Sequence, residues 1–547
     1  MFRGRVSMSE ESPLTVFRAY LLKREFTWFD VFLWVVANPV ASGLFYYSVS
    51  ATGEYGYYGG VVPAAFIAAG IVFAPVALLF MIVASSLPRS ASPYVLASRG
   101  LGALPGFIAA SLYLFMSGGL LSLGFLAYSS IEVLGDGLTV SGHIAGSSIL
   151  VGLGSAVRAQ PYMLLAAFTL VTVLFLAAGM GRKSVKALLH ASTALPLVLY
   201  AAVMLSLFPF SRSVFTGNWD RLFNNSYSRI VDLALNGGVV NGVSVQPLRA
   251  VSEWSGTFTV FTMAVWAYLG VENASFIAGE VREPGSSYLK GYIAGYMVLV
   301  AMYTVTPVAV TLVAGYDFLS AYSYLYHHYP DVLKTLMGVN APPAPCLATI
   351  VSVYTGNMVT SLLFTLAAFL FYFNTMLTSW VSATRILFAL GEDRLMPRLT
   401  ARVSRRTHVP GYANLFIYIL SIAVVSASPF IRSHPSIEAS FIRLMTLGYA
   451  FFLTITGLAL ISTLVFAEEL YERFTFKDKR VLYPIGFTTS VVGFALALSS
   501  FAGISLTDIL VASTGFSLIL LLFIAVTFYM KRRGVRYSEV FSRIPPM

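Results

Sequence analysis

Twelve apolar runs, separated by charged or turn residues, constrain the fold of this chain more than any other feature of its sequence. Each run is close to the roughly 20 residues that an α-helix needs to cross the hydrocarbon core of a bilayer. The runs cover residues 27–50, 60–87, 104–133, 161–180, 185–209, 256–279, 289–314, 357–390, 411–428, 440–466, 484–503 and 509–530. Only 11% of all residues are charged, against about 25% in soluble domains. The sequence therefore predicts an all-α polytopic membrane protein with about 12 transmembrane helices.

Positive charge is distributed unequally between the segments that connect the runs. If the N-terminus is placed inside, 27 of the 35 Lys and Arg residues fall on the cytoplasmic side. Because cytoplasmic loops of membrane proteins carry this excess, the sequence predicts a multi-pass protein of the cell membrane with both termini in the cytoplasm. The net charge of +11 then reflects topology and the lipid bilayer, and no nucleic-acid partner is expected.

The run at 256–279 is interrupted by polar residues. Gly270, Glu272 and Asn273 lie within four residues of one another, at a depth where lipid offers no hydrogen bonds. An ionisable residue there is costly and by default indicates function. Backbone that leaves the helix at this depth is tolerated only where it lines protein or a watery cavity. We therefore expect a break near Leu269-Gly270 that forms half of a binding site.

The first run contains a second interruption, from Asn38-Pro39 to Gly43. Proline removes a backbone donor and clashes with the preceding turn, and glycine admits unusual dihedral angles. A pair of interrupted spans in corresponding positions indicates the binding site of a secondary transporter. A proline kink is the alternative for either break alone.

The two breaks also predict how the chain is divided, because each would open a unit of five spans, the two units having opposite topology. The predicted divisions are a cytoplasmic segment 1–26, a first repeat 27–209, an external loop 210–255, a second repeat 256–466, two accessory spans in 467–530 and a basic cytoplasmic tail 531–547.

The loops offer little that predicts a metal site or an enzyme. Residues 141–157 are expected to form a re-entrant or surface helix, and Tyr324–Met337 a short helix over the outer mouth. His327 and His328 are adjacent and therefore point apart, so no metal site is predicted there. Cys346 is the single cysteine. No HExxH, P-loop or Ser/His/Asp arrangement lies within the spans, so neither an enzyme nor an ATP-driven pump is expected, and no cofactor.

Four short motifs occur in order along the chain. They are NPVASGLF at 38–45, LPRSASPY at 87–94, WAYLGVENASFIAGEVREP at 266–284 and RILFALGEDRLMP at 385–397. Over roughly 27–430 the chain thus resembles the amino acid–polyamine–organocation (APC) family of transporters, which carries similar motifs at its first-helix break, after span two, at its sixth-helix break and at the end of span eight. The resemblance implies the five-plus-five inverted repeat of LeuT-like transporters, with broken helices 1 and 6.

The chain departs from the family pattern at several positions. Ala41 stands where glycine is usual, Pro39 is uncommon there, and Ala91-Ser92-Pro93 replaces a glycine turn. The fifth span carries Pro196 and lacks the central lysine that some proton-coupled relatives have. The substrate and the coupling ion are therefore left open.

A free amino acid presents a carboxylate and an ammonium, and the two breaks suit both groups. A half-helix that begins near Ser42-Gly43 offers unpaired N–H groups to the carboxylate. Carbonyl groups around residues 266–269 would accept from the ammonium, and Trp266 would stack on the substrate or close over it. The predicted substrate-binding residues are Asn38, Ala41, Ser42, Gly43, Trp266, Leu269, Gly270 and Asn374.

Two alternatives arise for the coupling ion. Glu272 is the candidate proton carrier or pH sensor, and its alternative role is to cap neighbouring backbone. Thr378 and Ser379, with the carbonyls of Ala37 and Val40, resemble the sodium site of sodium-coupled relatives, and hard oxygen ligands suit a hard cation. Their alternative role is helix packing.

Arg385 is expected to form an ion-pair cluster with Glu392-Asp393-Arg394 near the cytoplasmic exit and to hold a gate closed.

The expected function is therefore secondary active transport of amino acids by alternating access, coupled to protons or sodium or proceeding by exchange. Phe115, Met116, Trp266 and Phe373 favour a neutral or apolar substrate.

A transporter of the same fold for polyamines, nucleobases or metal ions is the alternative, although a cationic substrate would require carboxylates beyond Glu272. A channel or membrane sensor is the alternative from a different class, and repeated polar rings that would line a pore are not evident. The oligomeric state stays open.

Overall fold

The computed structural model describes residues 22–116, 119–501, 504–532, 534 and 540–541. Within these residues 11 helices are long and apolar enough to cross a membrane, and the bent pair Trp28–Ala37 and Val40–Ser50 makes a twelfth span. The predicted all-α fold with about 12 spans is confirmed. Most of the predicted segment 1–26 and of the tail 531–547 lies outside the described residues.

Span 1 consists of half-helix 1a (Trp28–Ala37) and half-helix 1b (Val40–Ser50), which meet at 55°. Span 6 consists of half-helix 6a (Glu253–Ala267) and half-helix 6b, the 3₁₀-helix Val271–Glu280. Spans 2 to 5 are Val62–Ser86, Ala103–Ala145, Gln160–Gly179 and Arg182–Ser206. Spans 7 to 12 are Pro284–Ala314, Met358–Glu392, Gly411–Arg432, Ser436–Phe466, Lys479–Ser500 and Leu506–Arg532. The division into two repeats stays a prediction.

Span 3 continues to Ala145, beyond the predicted end at 133. The predicted span ends early because the hydropathy falls at the charged Asp136. In the structure this carboxylate is buried and forms an ion pair with Arg158 at 2.6 Å. Asp136 also accepts a hydrogen bond from the Ala344 N–H. Gly146, with φ 63°, ends the helix, and the predicted helix at 141–157 is reduced to Ser148–Arg158.

The two large segments that are predicted to be external contain secondary structure. The first contains helices Arg212–Leu222 and Tyr227–Asn236 and a hairpin of strands Gly238–Val240 and Val243–Val245, and strand Arg249–Ala250 pairs in parallel with Tyr57–Tyr58. The second contains helices Tyr316–His328, Pro330–Met337 and Leu347–Thr355.

The single helix predicted at Tyr324–Met337 is divided between two helices that meet at Tyr329. Tyr329 has φ −138° and ψ 55°, because the ring of the following Pro330 disfavours the helical conformation.

Span 8 forms the centre of the molecule. Every residue from Phe371 to Gly391 is buried, and the span packs against spans 1, 3 and 5. Span 7 packs against half-helix 1a and span 2. In contrast, span 12 exposes apolar side chains such as Leu510, Leu521 and Phe528. The two broken spans are therefore held between long, continuous helices.

Candidate functional site at the two broken helices

The break of span 1 lies at Asn38-Pro39, between half-helices 1a and 1b. Pro39 has no N–H to continue the helix, and Ala41 has the non-helical ψ of −105°. The carbonyls that the break releases find a donor on span 8, because Thr375 Oγ1 lies 3.2 Å from Ala37 O and 3.0 Å from Asn38 O. The predicted position of this break is confirmed.

The backbone of Gly43 is part of the helix Val40–Phe45, and a glycine is required there because the surroundings leave no room for a side chain. The sequence predicted unusual dihedral angles at this glycine, and the structure corrects that reason. A Cβ at position 43 would lie 2.3 Å from Tyr303 Oη and 3.0 Å from Ala267 O. Half-helix 1b, half-helix 6a and span 7 therefore approach one another at a point where no larger residue fits.

The break of span 6 follows Ala267. The N–H groups of Tyr268 and Leu269 still bond to Val265 O and Trp266 O, and Gly270 then turns the chain with φ 108°. Half-helix 6b continues for ten residues with 3₁₀ geometry, which rarely persists beyond three or four. The predicted break near Leu269-Gly270 is confirmed.

We expect Gly270→Ala to be among the more destabilising single substitutions at the site. The new Cβ would lie 2.0 Å from Asn38 Oδ1, and the φ of 108° is unfavourable for alanine. Together these effects should lower stability by about 3 kcal/mol. Thermal unfolding of the purified protein measures the loss.

Gly242→Ala is the matched control for this substitution. Gly242 also has positive φ, 80°, but a Cβ there would meet no atom within 4 Å. It should lower stability by only about 1 kcal/mol, the backbone cost alone. Equal losses in the two variants would mean that the contact with Asn38 is unimportant.

Asn38 connects both breaks to span 8. Its Nδ2 lies 2.8 Å from Thr378 Oγ1, 3.1 Å from Ser379 Oγ and 3.3 Å from Thr375 O. Its Oδ1 lies against Gly270. The residues that the sequence proposed for sodium, Thr378 and Ser379, are thus brought together, and the atom between them is the amide nitrogen of Asn38.

Tyr303 of span 7 joins the two breaks from the other side. Its hydroxyl lies 2.7 Å from Pro39 O and 2.8 Å from Ala267 O, and its single proton is shared between these carbonyls. Sequence reasoning did not identify this residue. Its only signal is a tyrosine in the middle of an apolar span, and tyrosine is too common there to be singled out.

Glu272 is completely buried and is held by three donors. Tyr113 of span 3 donates to Oε1 at 2.8 Å, and Tyr449 of span 10 donates to Oε2. The N–H of Gly270 also donates to Oε2, at 3.0 Å. The carboxylate therefore caps the broken backbone and at the same time ties spans 3, 6 and 10 together.

The remaining predicted substrate-binding residues divide into two groups. Ser42, Trp266 and Leu269 are partly exposed beside the breaks, and the Trp266 ring meets Tyr47 edge-on at 5.4 Å. Asn374 is directed elsewhere, because its Nδ2 donates to Thr193 of span 5. The Oδ1 of Asn374 is buried without a hydrogen-bond partner.

A set of backbone hydrogen bonds closes the end of the site that is predicted to be the inner one. The N–H groups of Glu25 and Phe26 donate to Glu280 O, and the N–H of Arg282 donates to Phe26 O. The segment before span 1 is thereby fastened to the end of half-helix 6b. In the orientation that the positive charges predict, this closure faces the cytoplasm.

The charged residues near this closure pair differently from the sequence prediction. Arg385 was expected to join Glu392-Asp393-Arg394, but it bonds to Glu280, with Nε 2.5 Å from Oε1. Asp393 bonds instead to Arg99 and Tyr94. Arg385 and Asp393 belong to two different ion pairs because the span 8 helix continues to Glu392, which places Arg385 two turns deeper than Asp393.

At the end that is predicted to be the outer one, His327 is hydrogen bonded to Tyr46 and to Ser323 O, and His328 to Glu54 O. These histidines fasten the helix Tyr316–His328 to the end of span 1. Within the described ranges, no three His, Cys, Asp or Glu residues are grouped so that they could hold a metal ion.

The sequence model of one protein family matches this chain. The family is described as Amino acid permease, and the match covers residues 26–538. No curated protein matches the chain.

Proposed function

The chain belongs to the amino acid permease family, and we propose that it is a secondary active transporter that moves amino acids across the cell membrane by alternating access. The family is one of transporters of amino acids or related organic cations, not of enzymes. The observation that carries the proposal is the meeting of two broken spans, held together by Asn38 and Tyr303. Both termini face the cytoplasm in this proposal, since most of the Lys and Arg residues lie on that side.

The two breaks present complementary groups to a free amino acid. The first turn of half-helix 1b, which includes Ala41, Ser42 and Gly43, offers N–H groups and a positive dipole end to the carboxylate. Among the carbonyls of residues 266–269, those of Trp266 and Ala267 already accept from the Leu269 N–H and the Tyr303 hydroxyl. The ammonium therefore donates to their second lone pairs or to the carbonyls of Tyr268 and Leu269. Trp266 lies partly exposed beside them, and its ring covers the substrate side chain. This arrangement recognises the carboxylate and ammonium groups of the amino acid more strictly than its side chain.

Transport can be tested directly with the purified protein in liposomes. A mixture of labelled amino acids should accumulate or exchange when a proton gradient is imposed, and unlabelled substrate should compete. Polyamines and other organic cations belong in the competition panel, because the family includes such substrates. If no amino acid moves under a proton gradient, a sodium gradient or exchange conditions, the proposed substrate class is wrong.

We favour protons or exchange over sodium as the source of coupling, because Asn38 occupies the space between Thr378 and Ser379. The amide N–H₂ of Asn38 donates to the Thr378 and Ser379 oxygens and so occupies the lone pairs that these oxygens would otherwise offer to a cation. The carbonyl of Ala37 is also engaged, by Thr375. The second candidate, sodium coupling through Ala37, Val40, Thr378 and Ser379, requires the Asn38 side chain to move away.

We expect that replacing sodium by choline leaves uptake by the wild-type protein unchanged. Asn38→Asp should create a sodium response, because a carboxylate beside the Thr378 and Ser379 hydroxyls is a set of hard oxygen ligands. The melting temperature of this variant should rise with sodium chloride and not with choline chloride.

Asn374→Asp, another buried amide changed to an acid, is the control and should show no such difference. Uptake by the wild type that depends on sodium would overturn the preference for protons or exchange.

A further inference from the structure

A cavity of about 350 Å³ lies at the inner ends of spans 1 and 5, beside the loop that joins spans 6 and 7. Four of its lining residues are cationic, and Glu25 is the single carboxylate. The lining residues are Glu25, Phe26, Thr27, Arg182, Lys183, Lys186 and Arg282. The transport site described above does not include this cavity.

The positive charge of the cavity is only partly neutralised. Arg182 is buried, lies 3.8 Å from both Glu25 and Glu280, and donates from Nη1 to Lys23 O at 2.8 Å, whereas its Nε has no hydrogen-bond partner. Lys186 donates to the buried Asp30 at 2.8 Å. Among the described ion pairs none involves Lys183 or Arg282, and both side chains are exposed; Arg282 Nε donates to the carbonyl of Arg24 at 3.1 Å.

A helix N-terminus adds to this positive field. The helix of span 5 begins at Arg182, directly after Gly181, which has no side chain that could cap it. Its first turn contains no acidic residue. The first N–H groups of a helix lack internal partners and attract anions. Arg182 and Lys183, which carry the first of these N–H groups, both line the cavity.

We propose that this cavity binds a phosphate group, carried either by an anionic lipid headgroup or by a soluble phosphate. Guanidinium and ammonium groups around a helix N-terminus are the donors that phosphate prefers. The neighbouring Trp28 is 46% exposed, and exposed Trp side chains mark the level of lipid headgroups. The cavity therefore opens where a lipid phosphate resides.

The bound phosphate acts on the inner closure. Phe26 and Arg282 line the cavity and also make the backbone bonds that fasten the segment before span 1 to half-helix 6b. A phosphate held between Arg182, Lys183 and Arg282 bridges span 5 and the loop after span 6. Binding therefore stabilises the closed inner end and slows the step in which it opens.

The experiment measures thermal stability and binding of the full-length protein in an uncharged detergent. Three additions are compared: short-chain phosphatidylglycerol, short-chain phosphatidylcholine and inorganic phosphate. The test variant is Lys183→Gln with Arg282→Gln. The control variant is Lys477→Gln with Arg480→Gln, which removes the same charge from another exposed part of the inner face.

We expect phosphatidylglycerol to raise the melting temperature of the wild type and of the control variant. Its affinity for the test variant should fall on the order of ten-fold or more, because each basic residue near a membrane surface contributes about 1 kcal/mol. If inorganic phosphate also raises the melting temperature, the site is assigned to soluble phosphate. If only phosphatidylglycerol raises it, the site is assigned to the lipid headgroup. An equal loss in test and control variants, or equal responses to both lipids, overturns the proposal.

Discussion

Glu272→Gln should abolish uptake driven by a proton gradient while the protein remains folded. Glutamine has nearly the same shape, and its amide oxygen can still accept from Tyr449 and the Gly270 N–H, which now donate to Oε2. Its amide nitrogen then replaces Oε1 and can donate to the hydroxyl oxygen of Tyr113. It cannot gain or lose a proton, so the step that carries or senses the proton is lost. Uptake into liposomes, with and without an imposed proton gradient, measures the effect.

Two further variants separate this role from simple capping of the backbone. Tyr449→Phe keeps the carboxyl group and removes one donor, so proton-driven uptake should be weakened and not lost. Glu272→Ala leaves two tyrosine hydroxyls and the Gly270 N–H without their acceptor. Because each buried orphan donor costs about 1 to 3 kcal/mol, stability should fall by roughly 3 kcal/mol or more.

If Glu272→Gln retained full proton-driven uptake, the carboxylate would be structural only. The coupling group would then have to be sought elsewhere, and Asp30, which is buried and bonded to Lys186 and His190, would be the next residue to change.

Glu280→Ala should be the most destabilising substitution at the inner end of the molecule. Glu280 is fully buried and accepts two hydrogen bonds from Arg385, at 2.5 and 3.1 Å. Arg182 lies 3.8 Å away, and both arginine side chains are 4% exposed. Removing one partner of a buried ion pair leaves an uncompensated charge, which costs about 3 to 5 kcal/mol.

The closure should open locally as well. We expect faster hydrogen exchange at the N–H groups of Glu25, Phe26 and Arg282, which the closure protects. Asp331→Ala is the control, because its pair with Lys334 is exposed and contributes little. Arg385→Met in the Glu280→Ala background should recover part of the lost stability, since the two charges are then removed together. If that second substitution destabilised the protein further, the pair would not be the reason for the loss.

Much of the architecture could be predicted because lipid restricts the backbone so strongly. Each long apolar run became a helix or a pair of half-helices, since only a helix satisfies the N–H and C=O groups within a single segment in the bilayer. The breaks at Asn38-Pro39 and Leu269-Gly270 were visible for the same reason, as the places where a helix could not continue. The end of span 3 was misplaced because the partner of Asp136, Arg158, lies 22 residues further along the chain.

The partners of the site residues could not be predicted in this way. Tyr303, Tyr113 and Tyr449 reach the breaks from three other spans, and nothing in their local sequence distinguishes them from packing tyrosines. Arg385 was assigned to the nearest acidic residues in sequence and bonds instead to Glu280, 105 residues away.

The sequence by itself determined the number of spans, the two places where helices stop, and the carboxylate that lies beside one of them, because these depend on local hydropathy and local backbone chemistry. Only the tertiary structure decided that Asn38 Nδ2 lies between Thr378 and Ser379, and that Tyr303 joins the carbonyls of Pro39 and Ala267. These contacts depend on the approach of helices distant in the chain. The packing of whole helices around span 8 sets that approach, and no short stretch of sequence encodes it.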